Sequence, residues 1–311
     1  MAMSGAMPVA CAFRSADCMT RLLAASVVVC TFNPREAVLH RAIDALRGQT
    51  EPLDNWELIV VDNGSDVPVT RHLDLSWHPH GRIICEERPG KTFALRRAEV
   101  ESRSDLIVIV DDDNLLAPTY LADALQIATD YPFLGAWGGG SVGEFETSPP
   151  RWLLPYLGFI AVKGCDELVW SNEPFHEAST PIGAGMCIRR AVARRYAEIL
   201  EEDPLRQILG PRGDCLARCE DTDMALTAID MGLGVGRFPQ LVLKHLIPSG
   251  RMTEAYILKL AEESQVSNFL LREIRRLPYP PYFSGSRLRR LATWVRLWTL
   301  PRMDQIGRAH V

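Results

Sequence analysis

No stretch of this 311-residue chain reaches the roughly 18 consecutive apolar residues that crossing a bilayer requires. The segment Leu22–Phe32, preceded by Arg14 and Arg21, has the outline of a secretory signal. No small-residue cleavage site follows it, so it reads better as a core strand of a cytoplasmic protein. Positive charge is not in excess either: the formal net charge of −5 argues against a general nucleic-acid binder. Eight cysteines are present but none forms a CxxC pair. Cys215 and Cys219 have no second pair with which to complete a zinc site, so the cysteines are expected to pack as small hydrophobes in a reducing compartment. Glycine is missing where two phosphate-gripping loops need it. Gly90-Lys91-Thr92 would close a P-loop only with glycine at position 85, which is Cys85. The segment Thr31–Glu36, where a sugar nucleotidyltransferase would carry a glycine-rich loop, has none. Internal repeats and low-complexity tracts are also lacking.

What is present is an ordinary globular balance, 47% hydrophobic and 23% charged, enough for a sizeable core. Ser26–Thr31 is a continuous β-branched run of the kind that is buried on both faces in a parallel sheet. Strands are further expected at Trp56–Val61, Arg82–Ile84 and Leu106–Val110, with helices at Glu36–Leu46 and Thr92–Glu101. This order implies an α/β fold with a mostly parallel central sheet and helices on both faces. In the second half the pattern predicts a glycine-rich strand over Gly135–Gly143, strands at Ile182–Ile188 and Phe238–Leu246, a helix over Glu220–Met231, and a long helix from Thr253 to Arg276. The expected organisation is a loose leader (1–24), a single domain (25–250, divided at 114/115 into nucleotide-binding and acceptor halves) and a helical C-terminal extension (251–311).

Ligands of open α/β sheets bind beyond the carboxyl ends of the strands. Here those ends carry Thr31-Phe32-Asn33, Asp62-Asn63-Gly64 and Asp111-Asp112-Asp113. Three adjacent carboxylates repel one another unless a cation compensates, and oxygen ligands with open positions suit Mg²⁺ or Mn²⁺ bound together with phosphates. If the strand continued through them, Asp111 and Asp113 would face one side, toward the metal and nucleotide, and Asp112 the other. The bland reading is a solvated turn capping the next helix. A second acidic set, Glu220-Asp221-Thr222-Asp223, opens a helix, where acids also complement the dipole. Gly183-Ala184-Gly185-Met186 would let a sugar approach the backbone, and Trp137 and Trp152 would either stack on sugars or fill the core.

In order, Thr31-Phe32-Asn33-Pro34, Gln49-Thr50, Val61-Asp62-Asn63-Gly64-Ser65, Asp111-Asp112-Asp113 and Glu220-Asp221-Thr222-Asp223 resemble the motifs of family 2 glycosyltransferases, the inverting GT-A group. The resemblance implies a GT-A-like fold and transfer from a nucleoside diphosphate sugar donor to a hydroxyl of a glycan or lipid-linked glycan in polysaccharide biosynthesis. It implies that Asp62 contacts the base, beside a pocket lined by Thr31, Phe32 and Asn33. Asp111 and Asp112 would lie near the ribose and sugar, and Asp113, with Asp111, would hold the Mn²⁺ or Mg²⁺. Asp221 would be the general base supported by Glu220, and His245 would sit near the metal or diphosphate. The family's arginine after the third strand falls on Leu95, so Lys91, Arg96 or Arg97 would have to replace it, or the contact is missing. The basic, tryptophan-bearing segment 287–300 is expected either to touch anionic lipid or to cap the fold. A non-catalytic sugar-nucleotide binder is the rival from another functional class.

Overall fold

The β-branched runs of the first half form strands because each can be buried on both faces. In the computed structural model, which describes residues 23–212 and 216–277, Ala25–Thr31 (β1), Trp56–Asp62 (β2), Gly81–Cys85 (β3) and Leu106–Asp111 (β4) pair in parallel in the order β3-β2-β1-β4. Alternate side chains enter two cores. Val27, Val29, Leu58, Val60, Val108 and Val110 meet Leu39, Ile43 and Leu46 of α1 (Glu36–Arg47) and Tyr120 and Leu121 of α3 (Tyr120–Asp130). On the other face Val28, Ile59, Ile107 and Ile109 meet Ala94 and Ala98 of α2 (Lys91–Glu101), Val192 and Tyr196 of α4 (Arg190–Glu202) and Met224 of α5 (Glu220–Asp230). Each fully buried aliphatic side chain contributes about 1.5–3 kcal/mol relative to exposure, so these two layers are the main source of stability.

The second half completes a nine-stranded sheet in which the longest ladders are parallel. The short strand β8 (Cys187–Arg189) runs antiparallel between β4 and β6 (Leu134–Phe145), and β6 pairs in parallel with β9 (Gly234–Ile247). β5 (Asn114–Leu116) and β7 (Val169–Ser171) add antiparallel partners to β9. The β6–β9 register shifts between Gly138 and Gly140, opposite the stretch of β9 that contains Pro239. A proline has no N–H for a ladder, so a bulge is where a strand tolerates it. At this point a Cβ on Gly139 would lie 1.6 Å from the Leu241 carbonyl oxygen, so only glycine permits the approach of the two strands.

One expected strand differs from the structure, and one open alternative is decided by it. Ile182–Ile188 was expected as one strand, but only Cys187–Arg189 pairs; residues 182–186 form a turn in which Gly185 has φ +73°. A Cβ there would also meet the Tyr120 hydroxyl at 2.5 Å, and that hydroxyl donates to the Gly185 carbonyl. Trp137 is fully buried, with the Arg189 guanidinium 5.5 Å over its ring, so it is a core residue. Trp152 packs half-buried against the cluster that covers the start of α6 (Glu254–Ile274). Among the described residues no helix is long and apolar enough to cross a membrane. The leader through residue 22, Cys215 and the basic segment 287–300 lie outside the described residues.

Candidate active site

The parallel register brings the polar strand ends level with one another: Thr31 lies opposite Asp62, and Cys30 opposite Asp111. Around them the chain is tied down by side chains that read its backbone. The Asp62 carboxylate accepts from the Ser65 N–H at 2.9 Å and the Val69 N–H at 3.0 Å, which shapes the turn after β2. Asn33, at φ 45°, exchanges side-chain and backbone hydrogen bonds with Asp66, joining the turn after β1 to the same loop. Phe32 stands half exposed beside them. Asn63, which the sequence places in the polar cluster after β2 without a role of its own, donates to the carbonyls of Glu86 and Arg88 and accepts from the Gly90 N–H at 2.8 Å. It thereby fixes the loop that delivers Lys91.

Lys91 is the basic residue that α2 brings into this group. Its ammonium lies 2.6 Å from Asp111 Oδ1 and 3.8 Å from Glu220 Oε1. Burial would lower its pKa, but the charges of Asp111 and Glu220 outweigh this and hold it above its ordinary value. Of the other candidates to replace the missing arginine, Arg97 pairs with Glu101 of its own helix and Arg96 with Glu201 of α4. Five residues along a helix rotate it by about 140° from Lys91, into the seam between the two helices.

Strand alternation ends at Asp111, since Asp112 and Asp113 occupy a turn. The expected sharing of one side by Asp111 and Asp113 therefore gives way to three different partners. Asp111 meets Lys91 and Asp112 accepts from the Thr31 hydroxyl. Burial, together with the charge of Asp113, pushes the Asp112 carboxyl up to about 7. Asp113 Oδ2 lies 3.3 Å from His245 Nε2 and 2.9 Å from Arg251 Nη1. The antiparallel β5–β9 ladder sets this meeting, with Asn114 opposite His245 and the Leu246 N–H donating to the Asp113 carbonyl.

The acidic start of α5 divides by role. Asp221 faces the site: its Oδ2 accepts from the Gly183 N–H at 2.8 Å and its Oδ1 from the Thr222 N–H at 2.7 Å. A Cβ on Gly183 would come within 3.0 Å of that carboxylate, so the small residue is what lets the backbone reach it. Asp223, fully buried, instead binds Arg206 through both oxygens and also Arg275. It is a structural anchor, and neither arginine carries a sequence signal that would have paired it with Asp223.

Glu220 is buried, and that burial, with the Asp221 charge, pushes its carboxyl up to about 7 from 4.5. Its folded pKa is the higher one, so its stabilising contribution is present below pH 4.5 and lost as pH rises through 7. Glu220→Gln, neutral throughout, is expected to be more stable than the wild type at pH 8, on the order of 2 kcal/mol, and close to it at pH 5. Denaturation midpoints at the two pH values check this; equal differences would contradict it.

The description Glycosyl transferase family 2 fits the chain over residues 26–196. Among solved structures it is similar to the mannosyltransferase PcManGT from Pyrobaculum calidifontis, solved in complex with GDP-Man and Mn²⁺ (21% identity, TM-score 0.57, covering 92% of this chain and 72% of that one). It is also similar to S. aureus TarS 1-349 (14% identity, TM-score 0.53, 92% and 81%) and to the same protein in complex with UDP (16%, 0.52, 91% and 77%). No curated protein matches it in sequence. The architecture these structures share with the chain is the GT-A fold.

Proposed function

This chain belongs to glycosyl transferase family 2, and from that premise we propose that it moves one sugar, with inversion, from a nucleoside diphosphate sugar to a hydroxyl of a glycan or lipid-linked glycan. One observation carries the reading. Lys91 lies between Asp111 at the end of β4 and Glu220 at the start of α5, so the donor-side carboxylates and the second acidic set belong to a single site.

In this reading the loops held by Asp62 and Asn33, with Thr31 and Phe32, form the floor for base and ribose. Asp221 takes the proton of the acceptor hydroxyl as that oxygen bonds to the anomeric carbon from the face opposite the leaving group. The bond from the anomeric carbon to the diphosphate breaks with its electron pair going to the diphosphate. Two backbone N–H groups aim the Asp221 carboxylate without occupying all its lone pairs. Lys91 holds Asp111 in place and offers a positive charge toward the phosphates.

The residues also fit a divalent cation. Asp113 Oδ2 and His245 Nε2 converge at 3.3 Å, close to the ~3 Å between neighbouring ligands of an octahedral ion. An imidazole nitrogen beside carboxylate oxygen is a donor set that accepts Mn²⁺ and leaves positions for the donor's phosphates, whereas Asp111 is turned to Lys91. When bound, such an ion neutralises the charge that develops on the departing diphosphate.

A thermal-unfolding panel of nucleoside diphosphate sugars, with and without Mn²⁺, tests the proposal. Donors of one base should stabilise the protein by about 2–3 kcal/mol at a hundred times their dissociation constant, and only with the cation. Asp113→Asn should remove the cation dependence. A panel in which no donor stabilises the protein would sink the reading.

A further inference from the structure

We infer that Arg251 is a resident counter-cation occupying the cation position between Asp113 and His245, and that a divalent ion enters only by displacing it, which couples cation binding to donor binding. This inference rests on the proposed donor-and-cation site. Arg251 Nη1 lies 2.9 Å from Asp113 Oδ2 and 3.2 Å from His245 Nε2, two atoms themselves 3.3 Å apart. A guanidinium can only donate and a carboxylate can only accept, so His245 Nε2 serves one of them at a time: it accepts from Arg251 in the tautomer whose lone pair can bind a metal, and donates to Asp113 in the other. One nitrogen of Arg251 therefore sits where both ligand atoms converge, and it cannot share that point with an ion.

The surroundings allow the side chain to leave while the backbone stays. Arg251 lies in the short turn Ser249–Met252 directly after β9, its N–H donating to the Pro248 carbonyl at 3.0 Å and the next residue, Met252, buried. The side chains of Asp113 and His245 are only 13% and 7% exposed, whereas that of Arg251 is 38% exposed, which opens a route to solvent from this one partner. Once freed, a planar guanidinium with five donors is suited to phosphate oxygens, and the donor diphosphate brings these to the same place. The cation alone thus has to break an ion pair without replacing it. With the diphosphate present Arg251 gains a new partner, so each ligand tightens the other through the same side chain.

Mn²⁺ titration by electron paramagnetic resonance, with no nucleotide present, reads this directly. Arg251→Met should bind Mn²⁺ about five- to fifty-fold more tightly than the wild type, the range of a typical coupling energy. Adding nucleoside diphosphate should tighten Mn²⁺ less in the variant than in the wild type. Arg251→Lys, which keeps the charge but loses the bridging nitrogen, should lie between them and excludes a mere long-range charge effect. Matching unfolding curves establish that the variants fold. If Arg251→Met binds free Mn²⁺ no more tightly than the wild type while Asp113→Asn abolishes binding, the role of Arg251 is overturned and the cation site stands. If Asp113→Asn binds Mn²⁺ like the wild type, the site itself is wrong and the inference falls with it.

Discussion

Replacing Asp221 by asparagine is expected to slow sugar transfer about a thousand-fold while donor affinity stays near that of the wild type, the loss typical of a removed general base. The amide keeps the volume of the carboxylate and can still accept from the Thr222 N–H, held at 2.7 Å in the wild type. What it lacks is a basic oxygen for the acceptor proton. Turning the amide so that its NH₂ faces the Gly183 N–H sacrifices one hydrogen bond, about 1 kcal/mol, which is small beside the expected loss in rate. Single-turnover transfer, measured beside donor binding by calorimetry, separates the two quantities. A variant within ten-fold of the wild type would move the base elsewhere, and Glu220 would be the next carboxyl to test. A pure sugar-nucleotide binder makes the opposite prediction, since no variant can lower a turnover that does not exist.

Two positions further along the same helix the effect should be on folding. Asp223→Leu is expected to cost about 3–5 kcal/mol, because it strands two guanidinium groups in the interior. Arg206 and Arg275 are 11% and 7% exposed at the side chain, and both converge on an aspartate with no exposure at all. Arg275 retains the half-exposed Asp230 at 2.7 Å, together with the Asp223 carbonyl and the Thr227 hydroxyl, whereas among the described residues Arg206 keeps only Asp203 at 3.6 Å. Most of the penalty therefore falls on Arg206. Urea unfolding should show a lower midpoint at an unchanged slope. Replacing Asp223, Arg206 and Arg275 together by apolar residues of similar size should recover much of the loss, since an uncompensated charge is what costs, not the absence of a salt bridge. A small effect of Asp223→Leu alone would mean that water reaches the two arginines.

The contrast between Asp221 and Asp223 shows where a sequence stops being readable. Both sit in one acidic motif at a helix start, and the resemblance assigned the base to Asp221 by position. That Asp223 turns inward depends on Arg206, in a short irregular stretch, and on Arg275, at the end of the last expected helix, neither of which the sequence places beside it. The first strands were legible because burial on both faces demands an unbroken apolar run, as at Ala25–Thr31 and Leu106–Asp111. Residues 182–186 misled for the same reason reversed: apolar and small, they look like a strand, yet the positive φ of Gly185 and the N–H that Gly183 gives to Asp221 require a turn. The aspartate triplet was legible as a site but not in its orientation, because periodicity says nothing once a strand ends. Arg251 was invisible for a related reason. Its partners, Asp113 and His245, are neighbours only through pairing between β5 and β9.

That pairing has a further consequence. The two side chains on which Arg251 closes are 132 residues apart in the chain, Asp113 in the turn after β4 and His245 on β9. A polypeptide cut short before β9 would possess the base-side loops and the aspartate triplet, yet it would lack both the imidazole and the guanidinium. Truncated products would thus lack two of the three groups that meet at this point, and the cluster assembles only once β9 and the turn after it have been made.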